Sequence, residues 1–170
     1  MSQDWSVLRL HGVEDVPSLA RKLLATLPDG DFRNHFIARR IKKIDLGRII
    51  SDAMLTQTPD KQGFNIVLLF NRKSSVEEWM ISIGHELAHT FAYGIKLDSP
   101  LLLRWRTDYH VDEKEEEFCE LFGAQWASLG DGHAALRHLL RTYLEKPGSL
   151  VLTGVGRRYT IFNLQSCFEA

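Results

Sequence analysis

The stretch "ISIGHELAHTFAY" (Ile81–Tyr93) places two histidines four residues apart, with a glutamate directly after the first. An α-helix advances about 100° per residue, so His85 and His89 lie about 40° apart on one face and can close on a single ion from one side. Extending the same helical wheel back to Val76 separates two faces. Trp79, Met80, Ile83, Leu87, Thr90 and Phe91 form an apolar stripe, and both histidines fall roughly opposite it. A histidine that merely fills a core belongs on the stripe, so the spacing predicts a metal-binding pair. Glu86 falls to one side of that pair, where a carboxylate flanks an ion and can act as general base.

Neutral imidazoles suit Zn2+, and a catalytic zinc takes three protein ligands and leaves the fourth position to water. The downstream candidates for the third ligand are Asp108, His110, Asp112, Glu113, Glu115, Glu116, Glu117 and Glu120. Most of the run "DEKEEE" reads as the solvated acidic start of a helix, with Phe118, Leu121, Phe122, Gln125 and Trp126 as its buried face. Glu116 borders that face, but spacing alone does not separate it from its neighbours.

The flanking sequence supplies the scaffold. Val16–Leu27 spaces its leucines as one helical face, and Asn34–Leu55 reads as a helix followed by a shorter element. Phe64–Asn71 is a short β-rich run, and Ser74 with Glu77 predicts a capping box that opens the histidine helix. A loop over 94–111 precedes the acidic helix. "DGHAALRHLLRTYLEK" predicts a further helix, and "SLVLTGVGRRYTIFNL" two strands around a turn at Gly154–Gly156. The expected architecture is a single α+β domain over 1–170, with a small mixed sheet packed on an active-site helix and a second ligand-bearing helix.

Of the residues, 44% are hydrophobic, enough for one core, and the charges nearly cancel at a net −1, so no overall field draws the chain to nucleic acid or membrane. "RRIKK" (Arg39–Lys43) reads as a solvated helix face, so no direct nucleic-acid binding is expected. The amino-terminal residues lack the pattern of a signal peptide, and no window of about 18 apolar residues spans a membrane. Cys119 and Cys167 make no disulfide framework, which suits a reducing compartment, and a cytoplasmic protein is expected. His11, His35, His133 and His138 have no ligand-like partner in the sequence.

Two segments together, "IVLLFN…WMISIGHELAHTFAY" and "EEEFCELFGAQWA", resemble the ImmA/IrrE family of metallopeptidases over about Phe64–Leu129. That resemblance implies a zincin-like fold, His85, His89 and Glu116 as zinc ligands, and Glu86 as general base. It also implies that Glu120 orients a ligand. Gly123 replaces an alanine common in the family, and "QWASLGDG" departs from its usual sequence, so the wall of the substrate cleft is expected to differ. The implied activity is that of a regulatory endopeptidase cleaving a helix-turn-helix repressor of the XRE type, as in phage, mobile-element or stress control. Two alternatives stand beside it: an SprT-like zinc protease with His110 as third ligand, and a zincin-fold module that binds a transcription regulator without cutting it. Tyr93 is a candidate to line the cleft and Arg104, Tyr109 and His110 are candidates to stabilise an oxyanion, although packing or solvation is the plainer reading of each.

Overall fold

Asp15 opens the first helix, α1 (Val16–Ala25), by accepting a hydrogen bond from the Ser18 amide at 2.7 Å, and Pro17 fits the first turn, where no amide hydrogen is needed. Val16, Leu19, Ala20 and Leu23 form its buried stripe. Asp31 caps α2 (Phe32–Ala38) in the same way. A computed structural model describes residues 15–47, 49, 51–69, 74–92, 113–145 and 158–163. Tyr93, Arg104, Asp108, Tyr109, His110, Asp112, His11 and Cys167 lie outside them.

Beyond α2 the chain turns through Arg40, at φ 58°, into β1 (Ile41–Gly47). β2 (Ala53–Gln57) and β3 (Phe64–Leu69) form an antiparallel hairpin closed by the Thr58 amide bonding the Gly63 carbonyl at 2.9 Å. β3 returns parallel to β1, and β4 (Arg158–Asn163) runs antiparallel along the other edge of β1, giving the order β2-β3-β1-β4. The element expected after the second helix is therefore two strands, and β4 pairs with β1. The first strand of the expected carboxy-terminal hairpin lies outside the described residues. The described part is an α+β structure with a small mixed sheet.

The sheet supports α3 (Val76–His89), which continues as a 3-10 turn over Thr90–Ala92. α4 (Glu113–Ala127) packs along α3 and also contacts α1. A 3-10 turn at Asp131–His133 leads into α5 (Ala134–Glu145). Among the described residues, no helix is long and apolar enough to cross a membrane.

The capping box forms one residue later than expected. Ser75 Oγ accepts from the Glu78 amide at 3.1 Å and Glu78 reaches back to the Ser75 amide, while Glu77 accepts from Arg137 Nε on α5 at 2.9 Å. Two serines each precede a glutamate by three residues, and the contact with α5 takes Glu77 away from the cap. Ser75→Ala is expected to cost about 1 kcal/mol of stability, and Ser74→Ala a few tenths at most, in paired thermal melts.

"RRIKK" is not a solvated helix face. Lys42 and Lys43 lie in β1, and Arg39 is 2% exposed, with its guanidinium 3.6 Å over the Phe91 ring and its Nε donating to Thr90 Oγ1 at 3.0 Å. The chain needs Arg39 inside because it joins the end of α2 to the last turn of α3. Burial lowers its pKa to about 10, which leaves it charged at neutral pH.

His35 and His133 are core residues gathered around Trp126. The Trp126 indole N–H donates to His35 Nδ1 at 3.1 Å, His35 Nε2 donates to the Pro28 carbonyl at 3.0 Å, and His133 Nε2 donates to the Trp126 carbonyl at 3.0 Å. Burial lowers the pKa of both imidazoles below the ordinary value of about 6.5. The unfolded chain therefore takes up protons before the folded one does, so stability present above about pH 6.5 is lost as the pH falls toward the depressed folded values. The melting temperature of His133→Gln is expected to fall less steeply between neutral and acid pH than that of the wild type.

Candidate metal centre

Two helices build the site, and two glycines set their distance. A β-carbon on Gly123 of α4 would lie 2.7 Å from the backbone nitrogen of His85 and 3.0 Å from the carbonyl oxygen of Ile81. One on Gly84 of α3 would lie 2.9 Å from the Gly123 Cα. The backbones cross where neither helix carries a side chain. Gly123 thus serves the helix contact, where a change in the cleft wall was expected.

This crossing covers the histidine face. Trp79, Met80, Ile83, Leu87, Thr90 and Phe91 are buried as the wheel predicts, but His89 is also only 6% exposed because α4 lies over it. α3 is therefore buried on two sides, and His85 remains half-buried.

From the crossing, α4 runs back past both imidazoles. Glu116 lies two turns before Gly123, with Oε2 3.2 Å from His85 Nε2 and Oε1 3.2 Å from His89 Nε2. The imidazole centroids are 4.9 Å apart. Donors about 2.0–2.2 Å from an ion at the tetrahedral angle stand about 3.3 Å from one another, so each contact, made through a different carboxylate oxygen, has the length of one edge of such a site. Glu86, next after His85 in the chain, is 7% exposed. The structure thus brings His85, His89 and Glu116 together. Glu113, Glu117 and Glu120 are exposed.

Glu115 is wholly buried and accepts a hydrogen bond from His89 Nδ1 at 2.5 Å. That bond holds a proton on Nδ1, so Nε2, which faces Glu116, is the nitrogen that can meet an ion once it gives up its own proton. The partner of His89 is therefore Glu115, whereas the resemblance implied Glu120 as the orienting residue. Glu120 affects His85 through its charge. The sequence did carry a signal for Glu115: it stands three, four, seven and eleven residues before Phe118, Cys119, Phe122 and Trp126, all buried on one face of α4. Glu115→Gln is expected to weaken metal binding about 10- to 100-fold, measured by competition with a chromophoric chelator.

Cys119 completes the cluster. Its side chain is wholly buried, and ligand atoms of His85, His89 and Cys119 all lie within 4.8 Å of one another, a group able to hold a metal ion. Burial pushes the thiol up to about 12, against the pull of His89. Burial also disfavours the charged form of His89, but Cys119, Glu115 and Glu116 outweigh it and hold its pKa above the usual imidazole range. At Glu116 the hydrogen bond from His89 lowers the carboxyl below its ordinary value. At His85 burial lowers the imidazole, with His89 adding to the effect.

No family model, curated protein or solved structure matches the chain.

Proposed function

We propose that the protein is a zinc-dependent endopeptidase of zincin-like fold, acting in the cytoplasm on a helix-turn-helix transcriptional repressor of the XRE type. The observation that carries the metal reading is the contact of one carboxylate, Glu116, with the Nε2 atoms of both histidines at 3.2 Å. His85, His89 and Glu116 form the mixed nitrogen and oxygen donor set of a catalytic zinc, and the partial exposure of His85 and Glu116 leaves an approach from solvent. The choice of a repressor as substrate rests on the resemblance of "HELAHTFAY" and "EEEFCELF" to the ImmA/IrrE peptidases.

A zinc ion bound by these three residues would acidify water and polarise a peptide carbonyl. Glu86 accepts the proton of the attacking water on its carboxylate and delivers it to the leaving amine. Glu115 keeps the Nδ1 proton of His89 in place and the ring in one orientation.

The direct test is to incubate the zinc-loaded protein with the repressor encoded beside it and to follow cleavage by electrophoresis and mass spectrometry. Cleavage by the wild type, abolished by a chelator, is the expected result. An intact repressor in every lane, with zinc bound, overturns the peptidase reading in favour of a binding module.

A further inference from the structure

The two imidazoles have a donor on each side. Outside is the Glu116 carboxylate, with a side chain 46% exposed; inside is the Cys119 thiol, with no exposed surface. Residues 116 and 119 are three apart on α4, so one helix presents a carboxylate and a thiol to the same histidine pair.

We infer that in the resting protein Cys119 is a fourth ligand of the metal held by His85, His89 and Glu116, closing the site until the thiolate is displaced. This inference rests on the metal-centre reading proposed above. Zinc bonds sulfur at about 2.3 Å and imidazole at about 2.0–2.1 Å, which puts the two donors about 3.6 Å apart in a tetrahedron. The present 4.8 Å bound on the donor separations closes with a movement of about 1 Å. Thiolate is also the donor that borderline-soft metals favour over carboxylate. Coordination breaks the S–H bond, sends its proton to the buffer and places a sulfur lone pair on the ion, with no change of oxidation state.

The consequence is a latent form. Four protein donors leave no position for water, whereas three leave one. Loss of the sulfur bond, with the thiol regaining its proton, returns the ion to three protein ligands and frees a position for water on the side where His85 and Glu116 meet solvent. A centre of this kind holds its metal tightly at rest and reacts only when something draws Cys119 away.

Cobalt(II) loading of the full chain reads the ligand directly, because a cobalt–thiolate bond gives an intense charge-transfer absorption in the near ultraviolet. The wild type is expected to show that band. Cys119→Ala is expected to bind cobalt without it and at least about tenfold more weakly. A cobalt-loaded wild type that lacks the band removes Cys119 from the metal and leaves the His85, His89 and Glu116 site standing. A band that persists in Cys119→Ala belongs to Cys167 and also overturns the inference. Failure of both proteins to bind cobalt defeats the metal-centre reading itself. Because the wild-type spectrum by itself shows whether sulfur binds the metal, the test survives a variant that does not fold.

Discussion

On the proposed mechanism, Glu86→Gln is expected to bind metal as the wild type does and to lose turnover by about 10²- to 10⁴-fold, the range contributed by a positioned general base. Glutamine matches glutamate in size and still accepts a hydrogen bond, but it does not take up the proton of an attacking water. Glu86 belongs to neither group of donors that converges on the histidine pair, so metal content measured by atomic spectrometry should match the wild type. Hydrolysis of a repressor fragment, followed by chromatography, measures the loss. A variant as active as the wild type removes Glu86 from the mechanism, and loss of metal together with activity assigns it a structural role.

Gly123→Ala should damage the site from a position that touches no metal. The added carbon would lie 2.7 Å from the His85 backbone nitrogen, and a helix backbone yields only by moving as a whole. Overpacking of this kind costs about 1–3 kcal/mol. The strain lifts α4 away from α3, carrying Glu115, Glu116 and Cys119 away from both histidines. A drop in melting temperature and metal affinity at least about tenfold weaker are expected. Ala124→Ser, on the exposed neighbouring position, serves as the control and should change neither. Wild-type values for Gly123→Ala would show that the helix crossing has room to spare.

These two variants mark the boundary of what the sequence discloses. His85 and His89 are legible because both belong to one helix, where a four-residue spacing determines a shared face. The third donor is on another helix, and adjacent residues on a helix point about 100° apart. Whether Glu115 or Glu116 meets Nε2 depends on how far α4 is rotated against α3, and that rotation is set by contact between Gly84 and Gly123, remote in sequence. Spacing could place the acidic run at the start of a helix but could not say that one member is wholly buried while its neighbour meets the imidazoles. The same limit applies to "RRIKK". Four basic residues in five suggest solvent, yet a β-strand begins inside the run and the aromatic face of Phe91 draws Arg39 into the interior. The short strands and the order of the sheet likewise depend on pairings between residues distant in the chain, such as Gly47 with Arg158.

Arg39 also bears on how the protein opens. Its guanidinium spans from the end of α2 to Thr90, whose hydroxyl in turn donates to the Leu87 carbonyl at 2.6 Å. A buried cation at the carbonyl end of α3 complements the negative pole of that helix, so separating them exposes an unbalanced charge to an apolar interior. The last turn of α3, which holds His89, is thereby tied to the residues that begin β1, at the centre of the sheet. Fraying of that turn and opening of β1 should belong to one cooperative unit, with slow amide hydrogen exchange shared between them.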